Sequence, residues 1–189
     1  RNKNDSSPVP MCGFPFHAAK SYIEKLIEAG KKIAVCEQMG SSDGSALLER
    51  VVHQVITPGM ILDESLLTPK TNNFLVAIFI TAIKPQILSY GIASLDISTG
   101  ECKITTTSSE ESCADEISRL EPNEIIIIND NSSISIAKHI LQRWPKITLT
   151  RFESERLSRE TSLAIIKKQF STLEISDDLV QNFSDGLLS

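Results

Sequence analysis

Acidic side chains are the groups in this 189-residue chain whose types could do chemistry. Asp96 sits in the string Leu95-Asp96-Ile97-Ser98-Thr99-Gly100, at the end of an apolar run and before a turn. Two-metal phosphodiester chemistry needs several carboxylates converging on ions ~3.5–4 Å apart. Glu116, Glu124 and Asp130 are the available partners for Asp96. Glu124 opens a strand after Pro122-Asn123, and Asp130 closes the same strand within Asn129-Asp130-Asn131. Only one of those two can lie near Asp96, and no third acid is placed to complete the set. An Asp before Ser-Thr-Gly also has a structural use, because its carboxylate accepts N–H bonds from the turn. The structural use takes most of the weight, so no catalytic residue is assigned.

Other chemistry finds little support. The four cysteines, Cys12, Cys36, Cys102 and Cys113, show no Cys-x-x-Cys spacing, and His17, His53 and His139 do not cluster with them. No metal site is expected, and reduced thiols of a cytoplasmic protein are. A Gly-x-x-x-x-Gly-Lys-Ser/Thr loop is absent, so no nucleotide cofactor is expected in this chain. Net charge is −5. Residues 1–70 hold eight basic and eight acidic side chains, whereas residues 71–189 hold eleven and sixteen. A domain gripping DNA by charge alone is basic. Any DNA contact is therefore expected to be local and to come from the first half.

The elements that must position these groups begin with a shaped loop. Pro8, Pro10, Gly13 and Pro15 exclude helix and central strand, and they hold Met11, Phe14 and Phe16 on a restricted backbone. Arg1, Asn2 and Lys3 precede it as polar groups able to meet phosphate. Tyr22, Ile23, Leu26 and Ile27 recur at helical spacing and are expected in a core, with Gly30 as a left-handed stop. His17 is expected to bind backbone at the helix start. Strands follow at Ile33–Cys36 and Val51–Ile56, ended by Pro58-Gly59. Residues 60–71 read as a linker with one helical turn. Then Phe74–Ile80 is continuously apolar, expected to be a strand buried on both faces. Strands are expected at Gln86–Ile97 and Glu101–Thr107, followed by a helix capped by a Ser108/Glu111 box, with Cys113, Ile117 and Leu120 inward. The remaining strands are Glu124–Ile128 and Lys146–Thr150. Between them lies a helix capped at Ser132 or Ser133, with Ile136, Ile140, Leu141 and Trp144 on one side. A last helix spans about 158–170. The class is α/β, and the second half reads β-β-β-α-β-α-β-α, the ribonuclease H-like order.

Pro10-Met11-x-Gly13-x-Pro15-x-His17-Ala18, then a helix, then Ile33-Ala34-x-Cys36-Glu37-Gln38 resembles the mismatch-recognition domain of the MutS family of bacterial DNA mismatch-repair proteins. Glu49-Arg50, Val55-Ile56-Thr57-Pro58-Gly59 and Leu95–Gly100 continue the likeness in order. The resemblance implies that residues 1–60 are the C-terminal part of that domain and 61–71 a linker. Residues 72–189 would be a ribonuclease H-like connector domain lacking its last helix. It implies a fragment, with the mispair-reading Phe-x-Glu pair upstream of residue 1, because Phe152-Glu153 lacks the spacing. Val52, His53 and Gln54 depart from the family's basic strand.

The parent is implied to be a cytoplasmic, nucleoid-associated homodimer that senses mispaired or looped double-stranded DNA. It would use ATP and magnesium in a domain outside this chain and recruit MutL through the connector. The fragment itself is expected to be monomeric, without ATPase activity, cofactor or membrane contact. In this scheme the domain enters the minor groove at a mispair and the DNA is kinked there, an apolar wedge exploiting the cheaper deformation of a mispair. Met11 is the residue expected nearest the DNA, and Arg1, Asn2 and Lys3 are the further residues expected to bind nucleic acid. Two other readings remain: a metal-dependent nuclease using Asp96, and a stand-alone protein-interaction module.

Overall fold

The structure is a computed structural model that describes residues 12–39, 49–84, 87–129, 131–153 and 159–169. The chain enters its first helix through a 3-10 turn at Phe16–Ala18, closed by the Ala18 N–H donating to the Pro15 carbonyl at 2.9 Å. Helix α1 then runs over Ala19–Glu28. Its end is a Schellman arrangement: Gly30 is left-handed at φ 69°, Gly30 N–H donates to Ile27 O, and Lys31 N–H to Leu26 O. Strands β1 (Ile33–Met39) and β2 (Glu49–Ile56) pair antiparallel from Ile33↔Ile56 to Met39↔Glu49, with an irregularity between Val35 and Cys36.

One expectation fails in this first unit. No residue of α1 is buried, and Tyr22 and Leu26 stand 44% exposed. The apolar stripe forms as its spacing dictates. Two strands and one helix nonetheless supply too few covering layers among the described residues to enclose it. Val51, Val52 and Val55 of β2 are exposed for the same reason.

The second unit is a five-stranded mixed sheet in the order β5-β4-β3-β6-β7. Its strands are β3 (Phe74–Lys84), β4 (Ile87–Asp96), β5 (Glu101–Thr107), β6 (Glu124–Ile128) and β7 (Thr148–Phe152). β3, β4 and β5 pair antiparallel in sequence, whereas β3–β6 and β6–β7 are parallel. Helices α2 (Glu110–Leu120) and α3 (Asn131–Arg143) provide the crossovers, and α4 (Arg159–Gln169) follows β7. The β-β-β-α-β-α-β-α order is the one read from the sequence.

Register assigns the two faces. Phe74, Val76 and Ile78 of β3, Tyr90 and Ile92 of β4, and Ile125 and Ile127 of β6 share one buried cluster. Cys113, Ile117 and Leu120 of α2 and Ile136, Ala137 and Ile140 of α3 close it, with Trp144 packed against it. Leu75, Phe79, Ile126 and Ile128 point the other way and are only half-buried, and Ala77 is exposed. The expected two-sided burial of β3 is thus wrong for its second face. A continuous apolar run signals two hydrophobic faces, and here helices cover one of them.

Smaller corrections are local. The α2 cap is Ser109, whose Oγ accepts from Ser112 N–H at 3.1 Å, rather than Ser108. This puts Glu110 and Glu111 together in the first turn, where the helix dipole favours both. α3 starts at Asn131, so neither Ser132 nor Ser133 is a residue before the helix. Leu141 is 42% exposed, at the rim of its stripe. β7 begins two residues later than expected, because Lys146 and Ile147 are used in a turn in which Ile147 N–H donates to Trp144 O.

Candidate functional site

The expected DNA-facing residues Arg1, Asn2, Lys3 and Met11 lie outside the described residues. What is described begins just after them. Cys12 to Pro15 are exposed, and Phe16 is 95% exposed at the mouth of α1. The Phe14 ring stacks on Tyr22 with centroids 4.5 Å apart and an interplanar angle of 21°, while Lys25 Nζ stands 5.8 Å from the Tyr22 centroid. His17 is exposed and makes no hydrogen bond with a described residue, contrary to the expected backbone contact. Lys20, Lys25, Lys31, Lys32 and Arg50 are all exposed on this unit. The loop therefore offers protruding aromatic surface, with Lys25 beside the Phe14–Tyr22 stack, a combination suited to a groove lined with phosphate.

Asp96 does what the bland reading gave it. Its side chain is fully buried. Oδ1 accepts from Ser98 N–H at 2.9 Å and Ser98 Oγ at 2.6 Å, and Oδ2 accepts from Asn73 N–H at 3.1 Å. Burial pushes its pKa up, but the bonds from Ser98, Asn73 and the Thr99 backbone outweigh burial and hold it below the usual 3.8. The turn closes with Gly100 in a left-handed conformation at φ 75°, its N–H donating to the Asp96 carbonyl. A carboxylate offers about four lone-pair sites, and these donors use them.

Glu124 is also buried, at 2% exposure. Its Oε2 accepts from Thr57 Oγ1 and from Gly59 N–H at 3.1 Å, and its Oε1 accepts from Thr150 Oγ1. Thr57 and Gly59 belong to the turn that leaves β2, so the carboxylate reaches across from the sheet to the first unit. The fit is tight. A Cβ on Gly59 would lie 2.8 Å from Glu124 Cβ and 2.8 Å from Leu75 Cδ1.

Asp96 and Glu124 lie at one end of the sheet but on opposite faces. β3 pairs Phe74 with Asp96 and Leu75 with Glu124, and adjacent residues alternate. They cannot share an ion. Glu116 is engaged elsewhere, bonded to Arg119 through Nε at 2.9 Å and through Nη2. Asp130 lies outside the described residues. Among the described residues no three His, Cys, Asp or Glu side chains come together to hold a metal ion.

Sequence reasoning missed the Glu124 joint. Val55-Ile56-Thr57-Pro58-Gly59 was visible as a turn, but its partner lies 65 residues further along. The one available signal was a carboxylate at the first position of an otherwise apolar strand.

A chain of one helix–ribbon unit and one mixed sheet, joined through a buried carboxylate, is a two-part α/β assembly without a metal cluster among its described residues. Family models divide it at the same place: one described as MutS domain I matches residues 1–65, and one described as MutS domain II matches residues 73–185. The chain belongs to the MutS family. It is 36% identical over 176 residues to the DNA mismatch repair protein MutS of Alkaliphilus oremlandii, covering 89% of this chain and 19% of the relative. It is 33% identical over 190 residues to the protein of that name from Desulfosudis oleivorans, covering 100% and 21%. For Desulfatibacillum aliphaticivorans the figures are 40% over 149 residues, 77% and 16%. The chain thus spans about a fifth of the length of these curated relatives. No described helix is long and apolar enough to cross a membrane.

Proposed function

We propose that this chain serves in a mismatch sensor: its first unit supports the loop that meets mispaired double-stranded DNA, and its sheet is the connector that passes the bound state on. The observation that carries this reading is the ordered match of both parts to consecutive MutS domains. The protruding Phe16 and the exposed lysines of the same unit support contact with DNA from the first half. A mispair stacks poorly, so an apolar wedge meets less resistance there than in a paired duplex. Met11 is the proposed point of closest approach, with Arg1, Asn2 and Lys3 on the phosphates.

The connector is proposed to recruit MutL, and the acidic second half suits a protein partner better than DNA. ATP and magnesium would act in a domain other than this one, in a homodimer, and the 189-residue chain would hydrolyse no ATP. The engagement of both Asp96 oxygens by Ser98 of its turn and by the Asn73 N–H favours this reading over nuclease chemistry.

A photocrosslinker placed at position 11 tests the DNA contact. Crosslinking to the mispaired step, with none from position 103 on the sheet edge, is the expected result. Crosslinking from position 103 alone would reverse the assignment of the two halves. Retention of a MutL partner on the immobilised chain at low salt is expected, and its absence would remove the connector proposal.

A further inference from the structure

The segment from β2 to β3 is gripped at both ends by a carboxylate of the sheet. Asp96 holds its end, at the Asn73 N–H. Glu124 holds its beginning, at Thr57 and Gly59. The Glu124 grip has a composition that a purely internal carboxylate would not need. Two of its three donors come from the turn below β2, and only Thr150 comes from the sheet itself. None of the ion pairs among the described residues involves it. A buried carboxylate without a cation depends on its hydrogen-bond donors. Gly59 is pressed against Glu124 closely enough to exclude a methyl group, so the contact is direct. A further hydrogen bond between the units, Thr148 Oγ1 to Gly30 O, is long at 3.4 Å.

We infer that Glu124 is an interdomain latch: its carboxylate fastens the Thr57–Gly59 turn, and with it the α1–β1–β2 unit, onto the open face of the connector sheet. Thr57 and Thr150 each give one hydroxyl to the same carboxylate, yet only Thr57 belongs to the first unit. The latch therefore separates two near-identical substitutions. Thr57→Val removes one of the turn's two bonds to the carboxylate, so the remaining Gly59 bond opens more often, and Thr150→Val removes neither, leaving the turn fastened. Glu124→Gln keeps it fastened as well, because the amide oxygen can accept from Thr57 and Gly59 while the NH2 faces a Thr150 hydroxyl able to accept. Glu124→Ala removes every acceptor.

The test is amide hydrogen exchange and 15N relaxation on the 189-residue chain. Thr57→Val and Glu124→Ala are expected to speed Gly59 amide exchange by about two- to tenfold, the range that matches one lost hydrogen bond of ordinary net strength. They should also give the α1–β1–β2 amides a shorter rotational correlation time than the sheet amides. Thr150→Val and Glu124→Gln should match wild type in both. Protected β6 amides show that the sheet survives, and Thr57→Val carries the test alone if Glu124→Ala does not fold. Unchanged Gly59 exchange and common tumbling in Thr57→Val would overturn the latch. So would equal release in Thr150→Val, or loss of β6 protection together with Gly59 in Thr57→Val.

Discussion

A single methyl group at position 59 tests how tightly the turn seats on the sheet. The φ of Gly59 lies outside the left-handed region, so Gly59→Ala adds no backbone strain and acts through space alone. The new Cβ would stand 2.8 Å from Glu124 Cβ, 2.8 Å from Leu75 Cδ1 and 3.2 Å from Glu124 Oε2. Carbon atoms rest at about 3.5–4.0 Å, so the misfit is on the order of an ångström. Leu75 can swing its terminal methyl aside. Glu124 Cβ is one bond from the strand backbone and cannot. The turn must then retreat, which lengthens the 3.1 Å bond from Gly59 N–H. Overpacking costs about 1–3 kcal/mol, and losing a hydrogen bond to a charged group about 1.5–3 kcal/mol. One movement relieves the first and causes the second, so they do not add. The expected loss is about 2–3 kcal/mol, or roughly 5–10 °C in Tm for a chain of this size. Urea unfolding followed by circular dichroism reads it, with Gly13→Ala as the control, where a Cβ would meet nothing within 4 Å. A Gly59→Ala protein within about 0.5 kcal/mol of wild type, the usual range for neutral surface changes, would refute the reasoning.

Two further outcomes follow from the buried groups. Asp96 has its pKa lowered by the fold, so its contribution to stability is present above 3.8 and lost as pH falls through the lower folded value. Asp96→Asn should therefore cost stability at pH 7, since the amide NH2 cannot accept from Asn73. That difference should narrow below pH 3.8 in urea titrations, and a gap independent of pH would contradict it. Cys113 is buried and its thiol is pushed up to about 12, by burial first and then by Glu110 and Glu116. A disulfide reagent at pH 8 should label the exposed Cys12, Cys36 and Cys102 quickly and reach Cys113 only after denaturation, and rapid native labelling of all four would be the contrary result.

Much of the fold was legible because its signals are local. The Gly30 stop, the Pro122 boundary, the Glu124–Ile128 strand and the helical stripes each depend on a few neighbouring residues. Errors arose where a local signal underdetermines its surroundings. Ser108 and Ser109 are chemically equal as caps, and the backbone at Ser109 decided between them. The stripe of Tyr22, Ile23, Leu26 and Ile27 correctly gave a helix, but periodicity states only which face is apolar, not whether anything covers it. The same limit applies to Phe74–Ile80. Asp96 was legible as a turn residue because its Ser98 and Thr99 partners sit within three positions. Glu124 was not, because Thr57 and Gly59 reach it only through the fold. Of the four residues expected at DNA, all outside the described residues, Met11 rests on sequence resemblance and Arg1, Asn2 and Lys3 on their polar residue types.

The most direct measurement of the central claim places this chain in the Alkaliphilus oremlandii MutS, replacing the 176 residues it aligns with. Fluorescence anisotropy then compares binding to a duplex with one mispair and to its fully paired counterpart. The account predicts that the chimera keeps a preference for the mispaired duplex, and that Met11→Ala in the chimera weakens it. A folded chimera that binds both duplexes equally, with Met11→Ala without effect, would contradict it.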